Sequence, residues 1–122
     1  MAFKMDFFTK NIIVGMLFFV LGHTLGWYTH NLQFVYDYWK DKIILSNIIF
    51  GIPAGIFFWL GTKYIFLDTE ELWTARFLAA VMSYVTFPFM TWYYLGESMF
   101  TLKTMLCVVL ALSILIVQIV LK

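Results

Sequence analysis

Charged residues are absent from four long stretches of this chain. Residues 43–62 and 77–96 each give 20 positions without Asp, Glu, Lys or Arg, residues 104–121 give another 18, and a fourth uncharged stretch covers 11–36. A helix of roughly 18 to 20 residues is about 27 to 30 Å long, which matches the hydrocarbon core of a bilayer. The pattern predicts an all-α integral membrane protein with four transmembrane helices in a compact bundle, at about residues 11–28, 43–62, 74–95 and 102–121.

Capping residues predict where the third and fourth helices begin and end. Asp68, with Glu71 three positions later, has the arrangement of a capping box, in which side-chain oxygens accept hydrogen bonds from free backbone N–H groups. Gly96 is placed to end the third helix, because glycine adopts the left-handed conformation without strain. Either Ser98 or Thr101 caps the fourth helix. The links are short, so we expect consecutive helices to be antiparallel neighbours.

Two prolines lie inside predicted helices, Pro53 in the second and Pro88 in the third. Proline lacks the backbone N–H group and clashes with the preceding turn. We therefore expect both helices to bend at these positions.

The composition agrees with a membrane protein that has a single domain over residues 1–122. Hydrophobic residues make up 63% of the chain and charged residues 12%, against about 25% charged in soluble domains. A net charge of +1 without a basic cluster gives no support for nucleic-acid binding. The single cysteine, Cys107, lies in the last apolar stretch, where we expect it to be buried and to serve packing.

The distribution of basic residues predicts the orientation. With four spans, the amino terminus, the second loop and the carboxyl terminus lie on one side. That side carries Lys4, Lys10, Lys63, Arg76 and Lys122, and the other carries Lys40, Lys42 and Lys103. The positive-inside rule then places both termini in the cytoplasm, in a multi-pass protein of a cell or inner membrane. The difference is small, so insertion in both orientations stays open.

His23 is a strongly polar, titratable side chain well inside a predicted span. Within a bilayer such residues usually face the bundle interior or a wet cavity, and imidazole titrates near neutral pH. His23 is therefore a candidate residue for proton coupling or for an ion pathway. The alternative is a structural role, with a neutral imidazole bonded to Thr24 or to a neighbouring helix. His30 would lie about 10.5 Å further along the same helix, too far to share a metal ion, so we expect no metal and no cofactor.

Three further residues join His23 on the candidate transport pathway. Glu97 follows the third predicted helix, where it either faces an aqueous vestibule and binds a cation or merely begins the fourth helix. The third helix is rich in aromatic rings, among them Tyr84 and Trp92, and a cage of rings binds an organic cation through the ring faces. The same rings also serve packing and the aromatic belt at a membrane surface.

Glycines repeat at four-residue spacing in the first two predicted helices. These are Gly22 and Gly26 in the first, and Gly51 and Gly55 in the second. Because glycine has no side chain, two helix backbones approach closely where such pairs meet. The spacing predicts helix packing faces, and it does not distinguish contacts within one chain from contacts in a dimer.

The remaining polar residues do not indicate catalysis. The sequence lacks a glycine-rich phosphate loop, a Ser/His/Asp or Cys/His arrangement of plausible geometry, and a pair of buried carboxylates, so we expect no enzyme. Lys63 and Arg76 flank the second loop opposite Asp68, Glu70 and Glu71. Interfacial anchoring and solvated ion pairs explain these charges without a function.

The end of the third predicted helix resembles a known family. Residues 92–97, with the sequence Trp-Tyr-Tyr-Leu-Gly-Glu, lead through a short polar link containing Thr101 into a final apolar span. In a chain this short, four spans with such an end resemble the small multidrug resistance proteins of the drug/metabolite transporter superfamily, mainly over the third and fourth helices. The resemblance implies a homodimer. Multidrug members carry a glutamate inside the first helix, whereas no acidic residue lies between Asp6 and Asp37 here, so His23 would have to replace it.

Two functional hypotheses follow from these observations. The first is a small membrane transporter or channel-like protein that works as a homo-oligomer in the lipid bilayer, is proton-linked through His23, and carries a small cation or metabolite. The second is a non-transporting subunit or assembly factor of a larger membrane complex. The abundant aromatic residues and the missing acidic coupling residue fit the second hypothesis equally well.

Overall fold

The computed structural model of the chain describes residues 7–121, which contain four long helices and no strand. Helix α1 comprises Lys10–Asn31, α2 Ile43–Thr69, α3 Leu72–Leu95 and α4 Leu102–Val120. Two 3₁₀ turns lie in the connection between α1 and α2. These elements confirm the all-helical prediction. Lys4 and Lys122, which contribute to the predicted orientation, lie outside the described residues.

Consecutive helices run antiparallel, so the start of α1, the α2–α3 turn and the end of α4 meet at one end of the structure. A cavity of about 830 Å³ at this end is lined by residues of all four helices, among them Ile12, Asp68, Thr74 and Ile119. Helices α1, α2 and α3 contact one another, and α4 packs mainly against α3. The main apolar core lies among α1, α2 and α3 and consists of Ile12, Phe19, Ile65, Ala75, Leu78, Val81 and Met82.

Three of the four helices, α1, α2 and α4, are long and apolar enough to cross a membrane. Helix α3 is free of charged residues over 77–96, but its tryptophans, tyrosines, threonines and proline make it less apolar. It has more buried residues than any of the other three helices, since it lies against all of them or their ends. The fourth predicted span therefore stays a prediction.

The predicted capping box at the start of α3 is wrong. Asp68 lies in the last turn of α2, which ends at Glu70 in the left-handed conformation with φ 56°. The carboxylate of Asp68 accepts hydrogen bonds from Thr9 and from Asn11 at the start of α1. Glu71 occupies the position before the first helical residue of α3, without a side-chain capping bond. The carboxylate of Asp68 thus forms a tertiary contact with α1, whereas the local sequence pattern predicted that it would cap α3.

The predicted boundaries between α3 and α4 are confirmed. Gly96 adopts φ 70° and donates its N–H to the carbonyl of Trp92 at 2.9 Å, which ends α3. Of the two proposed caps for α4, Thr101 is the one used, since its hydroxyl accepts from the backbone N–H of Thr104 at 3.3 Å. Ser98 instead accepts from the N–H of Phe100 within the link.

A π-helical turn precedes the proline of α2. Residues Asn47–Gly51 have π-helical hydrogen bonding, and Pro53 lies in the first turn of the α-helical part that follows. A wider turn is one of the ways in which a helix accommodates a residue that cannot donate to the preceding turn. A bend is expected at Pro53, and the structure has a π-helical turn just before it.

Cys107 is exposed on α4, so the expectation that it is buried is wrong. Helix α4 packs mainly against α3 and leaves most of its surface uncovered, with Val108 and Ile119 as its buried residues. An apolar sequence stretch cannot indicate which side of its helix meets the rest of the protein.

Helices α1 and α2 approach each other closely at Gly15 and Gly61, which the four-residue spacing did not select. A Cβ atom on Gly61 would lie 2.6 Å from Phe19 Cδ1 and 3.0 Å from the carbonyl oxygen of Gly15. A Cβ atom on Gly15 would lie 2.7 Å from Ile65 Cδ1. The distances of 2.6 and 2.7 Å are shorter than real Cβ contacts, so a side chain at either glycine would force Phe19 or Ile65 to shift and would loosen this crossing.

The four glycines predicted for packing have different surroundings. Gly22 faces the ring of Phe58, with 3.1 Å from a built Cβ to the ring, and Gly51 faces Asn47 of its own helix and Thr29. Gly26 and Gly55 have nothing within 4 Å of a built Cβ. Their role in packing between copies of the chain stays a prediction.

Candidate functional site

His23 contacts both of the other helices that surround it. Its Nε2–H donates a hydrogen bond to the backbone carbonyl of Ala79 in α3 at 2.5 Å; a carbonyl only accepts, so this nitrogen carries the hydrogen. The edge of the imidazole meets the ring of Phe58 in α2, with centroids 4.8 Å apart and planes at 79°. Thr24 donates instead to the carbonyl of Val20 in its own helix. The expected hydrogen bond from His23 to a neighbouring helix is therefore formed. It uses Nε2 and does not involve Nδ1.

A cleft of about 460 Å³ lies beside His23, between α1, α2 and α3. Helix α3 contributes three alanines to its wall, Ala75, Ala79 and Ala80. Alanine side chains end at Cβ, so the space that larger residues would fill is left open. The sequence thus creates the cleft by placing small residues on the side of α3 that faces His23.

The polar side chains in the cleft wall come from all three helices: His23 from α1, Thr62 from α2 and Arg76 from α3. Arg76 carries a permanent positive charge and several N–H donors, and the imidazole adds a group that is either neutral or positive. Among the described residues that line the cleft there is no carboxylate. This wall offers hydrogen-bond donors and positive charge, which suit an anionic group.

Arg76 and Thr62 were not assigned to a site from the sequence. Arg76 is the last charged residue before the uncharged stretch 77–96, and Lys63 is the first after 43–62. That position at the edge of an apolar segment is explained by anchoring alone, so it gives no signal for a cleft. The signal lies in the spacing of Arg76 to Ala79 and Ala80, which sets them on one side of α3.

The cleft does not include the other three residues predicted for the pathway. Tyr84 and Trp92 are 40% and 57% exposed on α3, and neither lines the cleft that holds His23. Glu97 is exposed in the link after α3. One copy of the chain therefore does not bring these residues together with His23, and their role on a pathway stays a prediction.

His30 is exposed and donates its Nδ1–H to the carbonyl of Gly26 in its own helix at 2.8 Å. Among residues 7–121, no group of three or more His, Cys, Asp or Glu side chains is placed to hold a metal ion. His30 lies outside the cleft, seven positions after His23 in the same helix, so it is a suitable control position for substitutions of His23.

A polar aromatic network fixes α1 against α3 on the far side of His23. The indole N–H of Trp27 donates to the hydroxyl of Thr91 at 3.0 Å, and the hydroxyls of Tyr28 and Tyr94 are hydrogen-bonded at 2.8 Å. The rings of Trp27 and Tyr94 stack with centroids 5.1 Å apart. The cleft therefore lies between two tightly packed zones of α1. One is the glycine crossing at Gly15, before His23, and the other is this network, about one helical turn after His23.

Beside the cleft lies a second groove of about 560 Å³ on the outer side of α2. The two share Phe58, Thr62 and Leu72 in their walls. The groove adds Lys63, whose Nζ lies 5.6 Å from the centroid of the Trp59 ring. The cleft therefore continues sideways onto the surface of α2.

No family model, no curated protein and no solved structure matches the chain, so the geometry of the cleft is the basis for a functional proposal.

Proposed function

We propose that this protein crosses a membrane four times and works, as a homo-oligomer, as a small transporter or channel-like protein. The observation that carries the proposal is the cleft in which His23, Thr62 and Arg76 from three helices face one space. Ionisable residues are costly inside a bilayer and usually mark a substrate or ion pathway there. A chain that needed only an anchor would have no use for this arrangement.

The distribution of exposed apolar residues supports the membrane location. Large side chains such as Ile43, Leu102 and Leu110 are 70–79% exposed. A soluble monomer rarely exposes a continuous apolar surface of this kind, whereas lipid solvates it. Helix α3, which is less apolar, has the other three helices around it and supplies the fourth span.

The orientation with cytoplasmic termini follows from the same charges as before. Lys10, Lys63 and Arg76 lie toward the end where α1 begins and α2 meets α3. The positive-inside rule places that end in the cytoplasm of a cell, or on the inner side of an inner membrane. The cleft then opens toward the cytoplasmic side.

The lining of the cleft favours an anionic metabolite over a cation as cargo. Arg76 keeps its charge at any physiological pH, and Lys63 lies in the adjoining groove. The carboxylates of Asp68 and Glu71 line the separate cavity at the end of the structure. A cation would meet repulsion at the cleft, and an anion would meet two bases.

A homo-oligomer is proposed because one copy offers a cleft rather than a closed passage. Gly26 on α1 and Gly55 on α2 have free space beside them, so a second copy can approach closely there. This arrangement agrees with the homodimer that the resemblance to small multidrug resistance proteins implies.

The proposal is tested by flux in proteoliposomes across a pH gradient. We expect uptake of a small organic anion to rise as the pH is lowered into the acidic range, because a protonated His23 adds a second positive charge beside Arg76. His23→Ala should lose most of this pH dependence, and His30→Ala, outside the cleft, should keep it. Well-folded wild-type protein without flux would contradict the transport proposal, and unchanged pH dependence in His23→Ala would contradict the role of His23.

One observation favours the alternative function, a subunit or assembly factor of a larger complex. Phe89 and Tyr93 form a parallel stack with centroids 6.2 Å apart on the outside of α3, and Trp92 is exposed beside them. Flat exposed aromatic surfaces are common at protein interfaces. Under this alternative, mild detergent extraction yields the chain with a partner protein, and the isolated chain gives no flux.

A further inference from the structure

The groove on the outer side of α2 combines one base with an apolar aromatic wall, and a second base lies in the adjoining cleft. Lys63 lines the groove itself, and Arg76 lines the cleft that adjoins it through Phe58, Thr62 and Leu72. Trp59 and Phe66 supply the rest of the wall, and Trp59 is 65% exposed. A ligand that fits such a surface has a negative head and an apolar tail.

The two bases lie at a similar depth in the proposed membrane. Helices α2 and α3 are joined by Glu70 and Glu71 alone, so they form a hairpin. Lys63 is six residues before the end of α2 and Arg76 four residues after the start of α3, which correspond to about 9 Å and about 6 Å along the axes. Each also borders an uncharged stretch. Both charges therefore lie at the edge of the apolar layer, where lipid head groups begin.

The apolar part of the wall continues inward from that edge. Trp59 precedes Lys63 by about one helical turn, and Phe58 lies beside it next to His23. The side chain of Lys63 lies back along the helix over the Trp59 ring. Trp59 and Phe58 thus lie inward of Lys63, which matches an anionic lipid whose acyl chain points toward the middle of the bilayer.

Two of the three acidic residues of the hairpin, Asp68 and Glu71, face the other way. Asp68 is bonded by Thr9 and Asn11 of α1, and Glu71 accepts from Thr74 at 2.8 Å. Both carboxylates line the cavity at the end of the structure, together with the end of α4. No carboxylate is found among the described residues that line the groove or the cleft. Lys63 and Arg76 thus lie on a different side of the hairpin from Asp68 and Glu71, and Glu70 is exposed in the turn.

We propose that this groove binds an anionic phospholipid of the surrounding bilayer, with its phosphate at Lys63 on the side that adjoins Arg76 and one chain along Trp59 and Phe58. Basic pockets between membrane helices on the cytoplasmic side are suited to anionic head groups. The inference depends on the membrane placement proposed above and not on transport. A lipid in the groove would form the outer wall of the cleft beside His23.

Quenching of Trp59 fluorescence tests the site in vesicles. The protein is reconstituted into phosphatidylcholine with a minor fraction of brominated phosphatidylglycerol, or with the same fraction of brominated phosphatidylcholine. The Trp59 signal is the difference between the wild type and Trp59→Phe. We expect brominated phosphatidylglycerol to quench this signal more strongly, and Lys63→Gln to weaken the preference about fivefold.

Lys10→Gln is the matched control, since it removes one exposed charge at the same end of the structure but outside the groove. It should leave the preference of the wild type unchanged. An equal loss in Lys10→Gln and Lys63→Gln would indicate general attraction to a negative surface and overturn the site. Equal quenching by both lipids would overturn it as well. Stronger quenching by brominated phosphatidylglycerol in a protein that gives no flux would support the lipid site and contradict transport. Failure of the lipid site can therefore be distinguished from failure of the transport proposal.

Discussion

Gly61→Ala is expected to lower the free energy of unfolding by about 1–3 kcal/mol, the usual cost of forcing extra atoms into a packed interior. The added Cβ would lie 2.6 Å from the ring of Phe19 and 3.0 Å from the backbone carbonyl of Gly15. The ring of Phe19 is fully buried, and the carbonyl belongs to a helix, so neither moves without separating α1 from α2. Unfolding in detergent, followed by tryptophan fluorescence, measures the change.

Gly55→Ala in the same helix is the matched control for this substitution. Within one copy of the chain nothing lies within 4 Å of a Cβ built there, so in the detergent-solubilised monomer the change should be neutral or should stabilise by up to about 1 kcal/mol through helix propensity. Opposite signs at the two positions would establish the crossing at Gly61. Equal effects at both positions would contradict it.

Arg76→Gln is expected to lower anion flux about 10- to 100-fold, because hydrogen bonds to a charged group contribute about 1.5–3 kcal/mol. Glutamine keeps an N–H donor on a shorter side chain and removes the charge that faces the cleft. Arg76→Lys restores the charge without the planar set of donors, so we expect a partial recovery. The measurement is initial uptake in proteoliposomes that contain equal amounts of folded protein.

Lys103→Gln provides the control for the loss of one positive charge. Lys103 is exposed in the first turn of α4, at the end of the structure opposite Arg76. Flux should stay at the level of the wild type in this variant. Full flux in Arg76→Gln would show that the transported anion does not depend on Arg76 in the cleft. A similar loss of flux in Lys103→Gln would show that the net charge of the protein matters rather than the cleft.

The helices themselves could be predicted from the sequence because long uncharged stretches have one physical solution in lipid. Backbone groups must be satisfied internally, which favours continuous helices between charged ends. Local signals also gave the correct end of α3 at Gly96 and the cap of α4 at Thr101. The start of α3 was missed because Asp68 is held by Thr9 and Asn11, and a contact across 57 or more positions leaves no local pattern.

The site could be predicted only in part. His23 is conspicuous because a titratable group is rare inside an apolar helix. Thr62 and Arg76 lie near His23 only because α2 and α3 pack beside α1. The open space of the cleft depends on the small alanine side chains that α3 contributes to its wall. Four-residue spacing selected glycine pairs within one helix, whereas the crossing uses one glycine from each of two helices, Gly15 and Gly61.

Transport through this protein requires that water and solute reach the cleft beside His23 while the surrounding helices lie in lipid. Cysteine accessibility measures this directly, in a Cys107→Ala background that removes the exposed native thiol. Ala80 lines the cleft, and Leu110 is exposed in the middle of α4. A membrane-impermeant maleimide added from the side of the α2–α3 turn should label Ala80→Cys and leave Leu110→Cys unlabelled, because the thiolate that reacts forms only in water. Protection of both positions would mean that the cleft is closed to water and would contradict the proposed pathway, and labelling of both would contradict the membrane placement.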